Sequence, residues 1–134
     1  MTRFRVPFCD VDMMQHVNNA SYVVWAETAR CNYFEELFHE PMTGRTGIIL
    51  ARQEFDYEHA LDFREDVAVG CRISRMGRKS FDFAYEMWSE TRQVRACKGL
   101  STMVAYDYEA KQSIVIPERW RELVRQYEAV PIAE

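Results

Sequence analysis

The sequence predicts an α+β fold in which one long helix, apolar nearly all round in its first half, is wrapped by a twisted antiparallel sheet. Three observations predict it. Apolar residues recur at helical spacing from about Ala20 to Phe38. From Gly47 onward the period changes to two and persists through four runs separated by turn residues. A last amphipathic segment opens on Pro117, a residue suited to the start of a short closing helix.

Each element has its own justification. The run from Arg3 to Val11 reads as a strand interrupted by Pro7, which suits an edge or a bulge. A polar segment, Asp12 to Asn19, leads into the helix, where Tyr22, Ala26, Ala29, Tyr33 and Leu37 form one stripe. Val23, Val24, Trp25 and Phe34 broaden that stripe, so the helix must be covered on most sides. His39-Glu40-Pro41 and then Gly44 mark its end. Ile49, Ala51, Phe55 and Tyr57 alternate with Arg52, Glu54 and Asp56 in the first of the four later strands. Val67, Val69, Cys71 and Ile73 mark the second, and Phe81, Phe83, Tyr85 and Met87 the third. Val94, Ala96, Leu100, Thr102, Val104 and Tyr106 mark the fourth, with Lys98 as its polar exception. Gly77 and Glu90-Thr91-Arg92 provide hairpin connections. The closing helix buries Trp120, Leu123, Val124 and Tyr127. One sheet around one helix satisfies this order with a single core. That arrangement is a hotdog.

Composition narrows the class. A chain of 134 residues with 48% hydrophobic and 13% aromatic residues is read as a single domain, residues 1–134, with a core that needs no disulfide staples. A net charge of −4 at pH 7 argues against nucleic-acid binding, which wants a basic face. No run approaches the length of a membrane span, so no membrane partner is expected. Cys9, Cys31, Cys71 and Cys97 lie far apart with no paired spacing, which suits reduced, half-buried packing residues in a cytoplasmic protein. His16, His39 and His59 show no ligand spacing with each other or with a cysteine, so no metal site is expected.

The chemistry concentrates in Asp12-Met13-Met14-Gln15-His16-Val17-Asn18-Asn19-Ala20. A carboxylate, an imidazole and two amides stand here immediately before a helix N-terminus. The first turn of a helix has backbone N–H groups without intrahelical partners, and the macrodipole adds partial positive charge. Such an end can hold a developing oxyanion while the carboxylate supplies a base or nucleophile. That is most of what thioester hydrolysis requires.

The same residues carry a family resemblance. Asp12-x-x-x-His16-Val17-Asn18-Asn19-Ala20-x-Tyr22 followed by Trp25-Ala26-Glu27-x-Ala29-Arg30 resembles the signature of hotdog-fold acyl-CoA thioesterases of the 4-hydroxybenzoyl-CoA thioesterase type. Gln15 to Asn19 is also similar to a segment of plant acyl-ACP thioesterases. Glu54-Phe55-Asp56-Tyr57, Phe63-Arg64-Glu65-Asp66 and Gly77-Arg78-Lys79-Ser80-Phe81 support the match downstream. The resemblance implies a homodimer whose sheets join edge to edge, with the active sites at its interface. Such dimers can pair again into a homotetramer. Asp12 matches the catalytic carboxylate of the 4-hydroxybenzoyl-CoA branch, and His16 the histidine of the plant enzymes. Met14 stands where the plant enzymes have an asparagine, and Gln15 where many bacterial relatives have glycine.

Each candidate has two readings. Asp12 attacks the thioester carbonyl or deprotonates a water, or else it only stabilises a turn. His16 donates to the thioester oxygen or positions water, or it fixes the loop before the helix. Asn18 and Asn19 cap the helix, and Asn19 assists catalysis on top of that role. The cap aims the N–H groups of Ala20, Ser21 or Tyr22 at the substrate. Glu27 is a second acid lining the site or an i,i+3 partner of Arg30. Arg78 and Lys79, with Arg72 and Arg75, hold the phosphates of coenzyme A or simply solvate a charged turn. Met13 and Met14 flank Asp12 and contact the acyl chain. The expectation is an acyl-CoA thioesterase with no cofactor, coenzyme A being part of the substrate. An acyl-carrier thioesterase and a non-catalytic acyl-binding hotdog are the competing readings.

Overall fold

The computed structural model describes residues 1–38 and 44–134. The helix stop read at His39-Glu40-Pro41 lies outside the described residues. The described elements, in order, are β1 (Thr2–Arg5), a 3₁₀ turn (Phe8–Asp10), α1 (Asn19–Phe38), β2 (Thr46–Tyr57), β3 (Asp66–Met76), β4 (Ser80–Ser89), β5 (Val94–Asp107), β6 (Gln112–Ser113) and α2 (Glu118–Tyr127). The strands form one sheet in the order β1-β3-β4-β5-β2, with β6 paired to β5. By contacts the described chain forms two compact units. One comprises Met1–Asn32, Phe55–Cys71 and Tyr85–Gly99, the other Tyr33–Glu54, Arg72–Ala84 and Leu100–Glu134.

In the first unit, β1 pairs antiparallel with β3, Thr2 opposite Val69 and Arg5 opposite Asp66. The strand stops at Arg5 and does not run on to Val11. Pro7 has no N–H to offer a ladder, and it becomes the N-cap of the 3₁₀ turn instead. The helical stripe here is buried as expected at Tyr22, Ala26 and Ala29. Val24 is the exception and is 60% exposed. Tyr22 packs on Trp25 and Tyr57 with ring centroids 5.2 and 5.0 Å apart. Burial pushes the Tyr22 phenol up to about 12, with the negative field of Cys97 in the same direction. Arg30 is buried and donates to the Tyr85 hydroxyl at 3.1 Å. Cys97 is buried, and that burial pushes its thiol up to about 12. Cys9 and Cys31, by contrast, are exposed and not half-buried packing residues.

In the second unit, Tyr33 and Phe34 stand edge-on to Phe83 at 5.2 and 5.4 Å, a preferred arrangement of aromatic quadrupoles. Val124 is the residue that α2 buries, while Tyr127 is 43% exposed and donates to Glu36 at 2.5 Å. A β-carbon at Gly47 would meet the far end of the Tyr108 ring, which would have to shift.

In β3 Ala68 and in β4 Asp82 are buried against the expected alternation, and two strands depart further. In β5 the buried set is Cys97, Ser101, Met103 and Ala105, joined by Ala96. The period was right and the phase wrong by one residue beyond Ala96. Leu100, Thr102, Val104 and Tyr106 are themselves half-buried, so hydropathy did not choose between the two faces. In β2, Ile49, Leu50, Ala51 and Tyr57 are exposed, and Phe55 is half-buried. β2 is an edge strand with a sheet neighbour on one side only.

Candidate active site

The segment that carried the sequence argument folds as a tight loop in the first unit. Val11 and Val17 form an antiparallel bridge that closes residues 12–16 into a turn. Asp12 N–H donates to His16 O at 3.2 Å, and Gln15 N–H donates to Asp12 O at 3.0 Å. Gln15 stands at φ 66°, in the left-handed region that glycine enters at least cost. The Asp12 side chain holds this turn from within. Its Oδ1 accepts the Met14 N–H at 2.8 Å, and its Oδ2 accepts the Asn18 amide at 3.2 Å. The turn-stabilising role is thus seen directly, and each oxygen keeps a second lone pair beyond these bonds.

Asn18, rather than Asn19, is the capping residue. Its Oδ1 accepts the Ala20 N–H at 2.9 Å and its carbonyl accepts the Ser21 N–H at 3.0 Å. Its own N–H reaches back to Asp10 O at 2.8 Å, and Asp10 in turn accepts the Trp25 indole N–H at 3.1 Å. One residue thus ties the loop, the 3₁₀ turn and the helix together. Because Asn18 takes the Ala20 and Ser21 amides, the Asn19 amide is the first-turn donor left open among the described residues.

His16 meets a partner that lies 46 positions away in sequence. Its Nδ1 is 2.9 Å from Asp62 Oδ1. Asp62 follows Leu61, which is fully buried and whose carbonyl accepts the Val17 N–H at 2.9 Å. The Asp62 N–H donates to Glu65 Oε2 at 2.6 Å. Glu65 is buried and held by Arg92 Nε at 2.5 Å and Ser89 Oγ at 2.8 Å. Burial alone would raise the Glu65 carboxyl, but the Arg92, Asp62 N–H and Ser89 bonds outweigh it and hold it below its ordinary value.

These groups border a cleft of about 950 Å³. Asp12, His16 and Asp62 are its ionisable lining, while Phe8, Phe63, Met13 and Met14 give it apolar walls. Phe8 and Phe63 stand edge to face with centroids 5.8 Å apart, and the Arg64 guanidinium lies 5.0 Å over the Phe63 ring. Met13 and Met14 are 99% and 78% exposed, a large apolar area with nothing packed on it in the described residues.

The structure gathers Asp12, Met13, Met14 and His16 at one cleft, with Asn19, Ala20, Ser21 and Tyr22 on the first turn of α1. Tyr22 is buried among aromatic rings, and Glu27 is exposed on the helix. Arg78 and Lys79 belong to the second unit, on the β3–β4 connection. Of their neighbours, Arg75 is taken by Asp82 at 2.6 Å, and Arg72 donates to the Val130 and Pro131 carbonyls at 3.3 Å. Asp62 and Phe8 are not among the sequence candidates, and Phe63 enters the sequence reading only as part of a supporting match. Asp62 and Phe63 are far from Asp12 in sequence, and the Val17–Leu61, Val6–Glu65 and Arg64–Val6 backbone bonds bring them there.

Comparisons with known proteins bear on this geometry. The profile of the thioesterase-like superfamily matches residues 6–124. An uncharacterized protein of Bacillus subtilis (strain 168), YsmA, is 28% identical over 80 residues, covering 60% of this chain and 54% of that protein. The chain thus matches over about half the length of that curated relative. The solved structure of a predicted thioesterase from Bacillus stearothermophilus aligns over 97% of this chain and 96% of its own, with TM-score 0.85 and 26% identity. A 1,4-dihydroxy-2-naphthoyl-CoA thioesterase from Synechocystis aligns over 94% and 95%, with TM-score 0.83 and 13% identity, a likeness of fold alone. The hotdog expected from the sequence is the fold these structures share with the chain.

Proposed function

The chain belongs to the thioesterase-like superfamily, and from that premise we propose that it hydrolyses an acyl-CoA thioester to a free acid and coenzyme A at the Asp12 cleft. The observation that carries this reading is the Asp12 carboxylate, fixed by the Met14 N–H and the Asn18 amide at the border of a cleft with apolar walls. A fixed carboxylate has its orientation settled before substrate arrives. Asp12 either displaces the thiolate to give a mixed anhydride, which water then opens, or takes a proton from the water that attacks. The Asn19 N–H, at the positive end of α1, is the donor suited to the oxyanion. Phe8, Phe63, Met13 and Met14 would receive the acyl group, with aromatic acids included in their range. Arg78 and Lys79 remain the candidates for the nucleotide phosphates. The reaction needs no co-reactant beyond water.

The active unit in this proposal is a homodimer that can pair into a tetramer. The exposed Ile49 and Leu50 on edge strand β2 support it. A cytoplasmic setting accords with four free cysteines, and among the described residues no helix is long and apolar enough to cross a membrane.

The test is thiol release from a panel of short, medium, long and aromatic acyl-CoAs, with wild type beside Asp12→Asn. Turnover should fall by about a hundredfold or more in the variant while its circular dichroism is unchanged. Turnover of carrier-protein thioesters alone would replace coenzyme A by a carrier in this reading. Binding of acyl-CoA without turnover would replace the enzyme by an acyl-binding protein.

A further inference from the structure

Asp62 has no part in the reaction as described so far, yet its contact with His16 joins two exposed side chains whose backbones are both held in place. The two residues lie 46 positions apart, and their side chains meet at 2.9 Å between Asp62 Oδ1 and His16 Nδ1. Both backbones are pinned beside the contact. Leu61 is fully buried and accepts from Val17, while the Asp62 N–H is taken by buried Glu65, itself clamped by Arg92. An ionised carboxylate can only accept, so the proton in this bond sits on Nδ1. A neutral imidazole protonated at Nδ1 has its lone pair at Nε2, which has no partner among the described residues.

We propose that Asp62 is a positioning residue that locks His16 in the Nδ1–H tautomer, making Nε2 a general base at the cleft rather than a donor to the thioester oxygen. The catalytic meaning of this assignment rests on the thioesterase reading. In either course of hydrolysis one water O–H bond must break, and in this assignment His16, not Asp12, is the base even where water attacks the thioester directly. Nε2 takes that proton as the water oxygen bonds to the acyl carbon. Where water attacks the thioester, the C–S bond breaks and the thiolate takes the proton from Nε2. Where Asp12 has formed the anhydride, its carboxylate leaves and the proton passes to bulk water. The imidazolium formed on the way keeps its Nδ1–H bond to Asp62, as in other carboxylate-oriented histidine bases. Asp12 and Asp62 are the charged groups that line the cleft with His16, with Glu65 behind Asp62 and compensated by Arg92.

The test begins with ¹⁵N NMR of the histidine rings in the full chain, His16 being assigned by its loss in His16→Gln. The expected spectrum has a protonated Nδ1 and a bare Nε2 on neutral His16. Asp62→Asn should move the ring toward the Nε2–H tautomer and lower kcat/KM at least about tenfold. Asp62→Glu should recover part of the rate. A wild-type His16 in the Nε2–H form overturns the proposal, as does an Asp62→Asn variant with unchanged tautomer. Absence of turnover in wild type would overturn the thioesterase reading instead. The ring spectrum, taken on the resting protein, still decides the positioning claim in that case.

Discussion

Asn18 concentrates more of the site's organisation than any other single residue. Its side chain caps α1 through the Ala20 N–H and holds Asp12 Oδ2, and its backbone N–H binds Asp10. Losing the cap alone costs about 1 kcal/mol in typical helices. Asn18→Ala should therefore lower the urea midpoint by that equivalent and also reduce kcat, because Asp12 loses the bond that orients one of its oxygens. Asn19→Ala removes neither bond and should leave the midpoint within error. The pair separates the cap from its neighbour. The sequence makes Asp12, His16 and the two asparagines legible as candidates because they fall within eight positions at the start of a helix. It left the choice between Asn18 and Asn19 open, since either spacing can cap. Asp62 was invisible, because a contact across 46 positions is a product of tertiary packing.

The connection from β2 to β3 behaves as an element in its own right. Leu61 is its buried anchor, and Glu65 is the buried charge around which it turns. Val6 N–H donates to Glu65 O and Arg64 N–H to Val6 O, which fastens it to the N-terminal segment as well. The Glu65 carboxyl titrates below its ordinary 4.5 because the Arg92, Asp62 and Ser89 bonds outweigh burial. A depressed folded value means that Glu65 stabilises the fold above the unfolded pKa, and that this stabilisation disappears as pH falls through the folded one. Glu65→Gln should cost about 2 kcal/mol near neutrality. Urea denaturation across an acid series should show the gap between variant and wild type closing as pH falls. A gap that stays constant would show the carboxylate charge to be irrelevant. The strands teach a related lesson. Phe81, Phe83, Tyr85 and Met87 in β4 are all buried as expected, although Asp82 between the first two is buried as well, paired with Arg75. β5 offered half-buried residues on both faces, and there the period survived while the phase did not.

For the whole molecule the sheet order is decisive. It places β1 at one edge and β2 at the other, and β2 is twelve residues long with exposed Ile49 and Leu50. A long edge strand with apolar side chains invites pairing with another strand. In the proposed homodimer a charge at this edge is expensive, so Leu50→Lys should shift the sedimentation coefficient toward the monomer. If the sites lie at the interface, thioester turnover should fall with the loss of dimer and recover at high protein concentration. The alternation in β2 is legible as a strand but not as an edge, because a strand with one ladder neighbour and a strand with two carry the same alternation in a sequence.

Met13 and Met14, both open to solvent at the cleft, give the site a susceptibility to oxidants. One added oxygen turns a thioether into a polar, chiral sulfoxide, and the change persists until an enzyme reduces it. An apolar wall beside Asp12 thereby becomes a polar one with no change in sequence. Protein kept under reductant and protein aged in air are, at this cleft, different chemical species.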